Sequence, residues 1–473
     1  MAVAPEIVRE CASDDGCPEG NLCMTPEDLK ARIDDDGVEF IYAMFVEMHG
    51  KPCAKLVPVS AIDDLLEVGA GFAGFAAGPI SQTPADPDIL AIPDPDSYTQ
   101  LPWQPNVAVM QCDPTVEGEL WPYAPRVILK QAMAVTAGQN LVLKAGAEAE
   151  YSLLHRDEDG SLRPSDERDT SELPCYDARG LTAVLDHLTA VSRHMDAMGW
   201  GNYANDHEDA NGQFEQNFKY ADALTTADRL IVLRLMMHTL ARRQGLYATF
   251  MPKPFADKTG NGLHTHLSLW TADTDEPLFH DDDDVRGLGL SPLAYSFVGG
   301  ILDHAQGLTG IVCPTVNSFK RIGVGPPDSG ATWAPSYVAY GGNNRTQMIR
   351  IPEGGRLEVR IPDGAANPYL ALTALLGSGL DGIARDLDPG DPNTDNLFAL
   401  PLAEIERRGI AALPPTLLHA MDALVADETL RSTMGTGRDG DYVDYFAAVK
   451  RAEFRAVNDQ VSPAEIDRYL TLM

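Results

Sequence analysis

The chain is 473 residues long and has no run of eighteen apolar residues, so no membrane-spanning helix is expected. It is poor in cysteine: seven, odd in number and scattered. Cys53, Cys112, Cys175 and Cys313 stand alone in apolar or turn contexts, which predicts reduced, buried thiols. Cys11, Cys17 and Cys23 recur every six residues in a polar head, a spacing that no zinc motif uses. Positive charge is also scarce. Lys and Arg total 36 against 70 Asp and Glu, for a formal net charge of −34. That argues against nonspecific nucleic-acid binding, which needs a basic patch. The acidic surplus fits a salt-tolerant source or a GC-rich genome, and the sequence leaves both open. A basic region followed by an apolar stretch is missing at the N-terminus, so no signal peptide and a cytoplasmic location are expected. No internal repeat of 20–50 residues is evident.

What is present is a 44% hydrophobic composition, enough for a large core and more than one domain. Residues 1–25 read as a flexible polar tail. Residues 37–62 alternate around a His-Gly-Lys turn and predict a hairpin. A helix follows, ending in the Gly/Ala-rich loop "GAGFAGFAAG", and then a Pro-rich stretch with short strands. Pro125 opens a predicted helix, "YAPRVILKQAMAVTAGQ", which places a domain boundary at 122/123. Beyond it strands and helices alternate. "TTADRLIVLRLMMHTLARRQG" predicts a helix with a Thr cap and a terminal Gly245. "LSPLAYSFVGGILDHAQGLTGI" and "NPYLALTALLGSGLDGIARDL" predict two more, and "HDDDDVRG" an acidic surface loop.

The chemistry concentrates in pairs of acidic and histidine residues on strand-like segments. Glu148 and Glu150 lie in "AGAEAEYSLL", Glu208 and Glu215 in "NDHEDANGQFE", His264 and His266 in "TGNGLHTHLSLW", and Glu358 two residues before Arg360. A glutamate pair on a strand is usually a solvated face. Here apolar runs flank the pair, and buried carboxylates are costly without a counter-charge or metal. Side chains two apart share a face of a strand, so three strands can aim these groups into one cavity. Carboxylates with one or two imidazoles suit Mg²⁺ or Mn²⁺ better than zinc. Interleaved arginines suit phosphate. Metal with arginine reads as phosphoryl transfer from a nucleotide.

Six segments, "AEAEYSLL", "HEDANGQFE", "FMPKPFADKTGNGLHTHLSL", "PTVNSFKR", "NNRTQMIRIP" and "RLEVRIPDGAANPYLAL", occur in the order and at the spacing of the glutamine synthetase family, which the chain resembles from about residue 26 onward. The resemblance implies an α+β fold: a β-grasp domain (26–122) and a catalytic domain (123–473) with a curved antiparallel sheet and flanking helices. It implies stacked rings of subunits, a dodecamer by expectation, with active sites shared between neighbours. It also implies ATP as substrate and two or more Mg²⁺ or Mn²⁺ ions per site. One metal site would be Glu150, Glu208 and Glu215, the other Glu148, His264 and Glu358. Arg345 and Arg360 match positions at the transferred phosphate, and Arg350 and Arg356 match nucleotide-phosphate contacts. Arg321 and Gly260 match positions that hold glutamate, and His266 and Ser268 positions beside the nucleotide. The implied reaction phosphorylates the γ-carboxylate of L-glutamate, and an amine then attacks the acyl phosphate.

Three departures from the family pattern sharpen the expectation. Ammonia-using members carry Phe-Asp-Gly-Ser-Ser, whose Asp binds ammonium; here Ala73 stands at the Asp position and Ala76 at the second Ser. Methyl groups supply neither acceptor nor counter-charge, and would welcome an alkyl or aryl amine. The flap usually carries a Glu before Ala-Pro. Here Trp333 precedes Ala334-Pro335, which leaves Asp328 as the candidate base. A tryptophan can build an apolar wall but cannot take a proton. Phe398 replaces the tyrosine that adenylylated members modify. The first two changes resemble the branch containing type III and γ-glutamylmethylamide synthetases, some relatives of which use isopropylamine or aniline. The leading expectation is a ligase joining glutamate to a small primary amine, with methylamine foremost. The alternatives are an ammonia-using glutamine synthetase, a ligase for larger amines, and a non-catalytic regulatory homologue.

Overall fold

A computed structural model of the chain describes residues 24–322, 334–437 and 440–472. Asp328, Trp333 and the head carrying Cys11, Cys17 and Cys23 lie outside the described residues. The fold is α+β, with two large sheets.

The first sheet runs in the order Pro52–Pro58, Phe40–Val46, Val107–Val116, Ile89–Pro93, Ala70–Phe72. Its hairpin is the one the alternation predicts, Phe40 opposite Pro58 and Val46 opposite Pro52, turning through Gly50 at φ +81°. Helix Pro26–Asp35 is capped by the Thr25 side chain and buries Leu29 and Ile33. The Gly/Ala-rich segment is more ordered than a loop. Ala70–Phe72 pairs with Ile89–Pro93, and Gly74–Ala77 forms one helical turn. Packing explains the difference: the Phe72 ring meets Phe45 edge-on at 4.9 Å.

The second sheet is curved and mostly antiparallel, in the order Asn202–His207, Gln213–Phe218, Leu141–Arg156, Leu263–Thr271, Leu357–Val359, Ile349–Arg350, Tyr340–Gly341. The sixteen-residue strand Leu141–Arg156 is its spine. Helices Pro125–Ala137 and Ala223–Arg243 pack against it, and Pro368–Ala384 packs on those helices. Asp222, not a threonine, caps Ala223–Arg243 by accepting from the Thr225 amide, so that helix begins earlier than its apolar periodicity suggests. The predicted helix across 290–311 is two helices, Pro292–Asp303 and Ala305–Val312. They part at His304, whose two ring nitrogens are held by Asp427 at 2.7 Å and Asp381 at 3.0 Å. Close packing explains the glycines here. A Cβ on Gly300 would sit 2.0 Å from the Ser378 carbonyl oxygen, and one on Gly382 2.1 Å from that of Ser296. The acidic loop is not merely solvated either, because Asp284 accepts from the Tyr295 hydroxyl and from the amides of Leu288 and Leu290.

Arg126, at the start of helix Pro125–Ala137, ties the first sheet to helix Ala223–Arg243. Its guanidinium meets Asp113 at 2.7 Å, Asp94 at 2.8 Å and Asp228 at 3.1 Å. Burial opposes its charge, but the three carboxylates more than compensate and raise its pKa. No helix among the described residues is long and apolar enough to cross a membrane.

Candidate active site

Register brings the acidic and histidine pairs together. On the spine strand His264 stands opposite Glu148, and Glu215 opposite Glu150. On the next strand Glu358 stands opposite His266, and Arg350 opposite Glu358. Because Glu148 and Glu150 share a face, antiparallel neighbours on either side deliver their carboxylates and imidazoles to that same face.

Two tight groups result. Atoms of Glu148, His264 and Glu358 lie within 4.8 Å of one another, as do atoms of Glu150, Glu215 and His264. The first is the triad inferred from the family pattern. In the second, His264 completes the group with Glu150 and Glu215, and Glu208 stands outside it. His264 Nδ1 lies 3.3 Å from Glu148 and its Nε2 3.6 Å from Glu150. Glu150 Oε2 accepts from the Gly262 amide at 2.8 Å and from Gln213 Nε2 at 3.0 Å.

The charges do not balance locally. Burial disfavours ionised Glu148, but hydrogen bonds from His264 and His266 outweigh it and hold its pKa well below the usual carboxylate range. Burial likewise opposes ionisation of Glu358, and Arg360 with the two imidazoles wins. Among the described residues Glu208 and Glu215 have no imidazole or guanidinium bonded to them, and the hydrogen bond from Asn217 to Glu215 is outweighed. Burial, then the neighbouring carboxylates, pushes Glu208 up to about 8 and Glu215 well above its ordinary value. A cation among these groups would relieve that repulsion. The donors are carboxylate oxygens and one imidazole. Cys175, nearby, is kept protonated by burial and the same carboxylates, its thiol pushed up to about 12, so no soft ligand competes. Room is present as well: a Cβ on Gly262 would intrude to 2.7 Å from Arg321 Nη2, 3.1 Å from His264 Nε2 and 3.2 Å from Glu150 Oε1. The set fits a hard divalent ion.

The arginines differ in state. Arg350 and Arg360 each give Nη1 to Glu358, and Arg350 also grips Asn343 at 2.7 Å. Arg356 is half-exposed, with Nη1 3.4 Å from His266 Nδ1. Arg345 is exposed and acts electrostatically on Arg350 and Tyr176. Arg321 is buried and donates to the Ile361 and Arg360 carbonyls. Gly260 has a steric reason of its own, since a Cβ there would sit 2.2 Å from the Pro252 carbonyl oxygen. Ser268 is half-buried and accepts from Trp270 Nε1. Ala73 and Ala76 are exposed on the helical turn of the first sheet. A further cluster, Asp303, His304 and Asp381, is no comparable site, because Arg385 already pairs with both aspartates.

Two groups near the carboxylates escaped the sequence reading. Asp206 lies opposite Glu215 and has a raised pKa, from burial and then from Glu148. Running the two-residue alternation back from Glu208 would have found it. Tyr176, at φ +62°, feels Glu208 and Arg345 electrostatically, and nothing in the local sequence signals that.

The glutamine synthetase catalytic-domain model matches residues 122–469. A glutamate–methylamine ligase of Methyloversatilis universalis is 42% identical over 94% of this chain and 99% of its own. A glutamine synthetase of Rhizobium leguminosarum bv. phaseoli is 40% identical over 94% and 99%. A solved chain described as a GmaS/ADP complex superimposes with a TM-score of 0.87 at 48% identity, covering 94% of this chain and 99% of its own. With six carboxylate and imidazole groups gathered on facing strands and this extent of match, the chain belongs to the glutamine synthetase family.

Proposed function

We propose that the protein is an ATP-dependent ligase that joins the γ-carboxylate of L-glutamate to a small primary amine, methylamine foremost, through γ-glutamyl phosphate. The observation that carries the amine assignment is Ala73 with Ala76, methyl groups where an ammonium acceptor would stand, on an exposed turn. The likeness to a glutamate–methylamine ligase over nearly both whole chains supports it.

In the first step a γ-carboxylate oxygen attacks the terminal phosphorus of ATP and ADP departs. In the second the amine nitrogen attacks the acyl carbon, phosphate leaves with the bonding electrons, and the nitrogen loses a proton. Glu148, His264 and Glu358 would hold one divalent ion, and Glu150, Glu208 and Glu215 another. Bound Mg²⁺ or Mn²⁺ would neutralise charge on the transferring phosphoryl group. Arg345, which is exposed, would meet phosphoryl oxygens, while Arg360 and Arg350, both bonded to Glu358, would keep it ionised and aimed. Arg356, His266 and Ser268 border the nucleotide in this reading. Arg321, behind Gly260 and Gly262, anchors glutamate. Residues 26–122 form the β-grasp domain and 123–473 the catalytic domain, in a cytoplasmic oligomer of stacked rings whose neighbours bring Ala73 to the metal site.

Phosphate release measured across ammonia, methylamine, ethylamine, isopropylamine and aniline tests the reading. The highest kcat/KM should fall on methylamine. A maximum on ammonia would establish the second reading, a glutamine synthetase, which the name of the Rhizobium relative favours. No turnover with any amine would leave the regulatory homologue.

A further inference from the structure

The segment carrying Glu208 is held from behind by one carboxylate outside the sheet. Asp169 lies between strand Leu162–Pro164 and helix Ala178–Ala183. Its Oδ2 accepts from His207 Nε2 at 2.9 Å and from the Gly212 amide at 2.7 Å; its Oδ1 accepts from Asn211 Nδ2 at 2.9 Å. Three donors from residues 207–212 therefore converge on a single side chain. The other nitrogen of the His207 ring lies 2.8 Å from the Glu208 carbonyl oxygen, which can only accept. Both ring nitrogens face oxygens, so the ring bridges Asp169 to the backbone of Glu208. The His207 side chain is fully buried. It packs edge-on against Phe214 at 4.9 Å, and a Cβ on Gly180 would strike the ring at 2.2 Å. There is no slack in which the ring could turn. The restraint continues toward Gly260: Lys258 Nζ donates to Asn211 Oδ1, and Thr259 Oγ1 donates to Asp209 at 2.9 Å.

We propose that Asp169, acting through His207, Asn211 and Gly212, is a positioning residue that sets Glu208 for divalent-metal binding and couples that ligand to the Lys258–Gly260 segment. This rests on the metal role proposed for Glu208. Glu208 stands on the tight connection between strands Asn202–His207 and Gln213–Phe218, beside Glu215 on the second of them, where repulsion among carboxylates would otherwise drive the 208–212 segment outward. An external acceptor that takes three of its hydrogen bonds opposes that motion without entering the site.

The test uses the full-length protein with MnCl₂ alone, without ATP or glutamate. Mn²⁺ affinity is measured by calorimetry, and backbone order over 207–213 by hydrogen–deuterium exchange. Glu208→Gln should weaken Mn²⁺ binding and leave exchange over 207–213 as in wild type. Asp169→Asn should weaken Mn²⁺ binding about tenfold or more, as loss of a group supporting a metal ligand does, and should speed exchange in that segment. Asn211→Ser, which removes one of the three donors, should lie between wild type and Asp169→Asn on both measures; it decides the question if Asp169→Asn does not fold. Wild-type Mn²⁺ affinity in Glu208→Gln would overturn the metal reading of Glu208. Weakened binding there, with wild-type affinity and exchange in the Asp169 and Asn211 variants, would overturn the clamp alone.

Discussion

His266 gives its Nε2 hydrogen to Glu148 Oε1 at 2.9 Å because Arg356 Nη1 stands 3.4 Å from its other ring nitrogen. A guanidinium only donates, so Nδ1 must accept and the tautomer follows. His266 therefore orients Glu148 and does not compete for a metal itself. His266→Ala should weaken Mn²⁺ binding by about 10- to 100-fold, the usual cost of removing a ligand's hydrogen-bond partner. Calorimetric titration checks it, and unchanged affinity would show that Glu148 is oriented by other means.

Activity should require a divalent ion and return when Mg²⁺ or Mn²⁺ is added back after chelation. Glu150→Ala and Glu358→Ala should each lose about 10²-fold or more in rate, because charge stabilisation of the transferring phosphoryl group goes with the ion. Steady-state kcat for either variant within a few-fold of wild type would break the ligand assignment.

Ala73→Asp should move amine preference toward ammonia. Burying one methyl contributes about 0.8 kcal/mol by area, so methylamine should exceed ammonia by a few-fold from burial alone. A restored carboxylate would add an acceptor for ammonium. The measurement is kcat/KM for both amines in wild type and variant. A ratio that does not change would take Ala73 out of the amine pocket.

Arg126→Leu should be strongly destabilising. It takes the guanidinium from Asp94, Asp113 and Asp228 where the first sheet meets helix Ala223–Arg243, leaving Lys130 beside the first two and the Tyr369 hydroxyl on Asp228. Breaking a buried pair of this kind costs about 3–5 kcal/mol. A thermal melt at neutral pH should show a clear drop in Tm; an unchanged Tm would mean that the carboxylates find other partners.

The His304 cluster should make stability fall toward alkaline pH. Burial opposes the charged ring, but bonds to Asp427 and Asp381 outweigh it and raise its pKa above 6.5. A raised folded-state value means a contribution complete below about pH 6.5 and lost as pH rises through the folded pKa. Asp381 works at the other end. Against burial, His304 and Arg385 hold its carboxyl below 3.8, so its share is present above that pH and lost as pH falls through the folded value. The Tm gap between wild type and His304→Gln should be wider at pH 6 than at pH 9. A gap of equal size at both would mean that folding leaves the ring's pKa unshifted.

The hairpin at 40–58, the helix opened by Pro125 and the pairing of Glu148 with Glu150 and of His264 with His266 were legible because each depends on local alternation, a turn or a cap. The break at His304 was not, because apolar periodicity runs straight through it and the two aspartates that hold the ring lie far along the chain. Nor was the ordering of 70–77, which follows from Phe72 meeting Phe45.

The fold class came from the resemblance to a family; by itself the sequence determined the residues that carry charge and imidazole and the strand face that paired residues share, since a two-residue period needs no knowledge of neighbours. Tertiary structure alone decided which of those faces meet. It put His264 between Glu148 and Glu150, gave Glu358 two arginines, left Glu208 outside the tightest cluster and placed Asp169 behind it. The reason is that strand register and loop docking are settled by contacts between segments tens to hundreds of residues apart, and such contacts leave no mark on local periodicity.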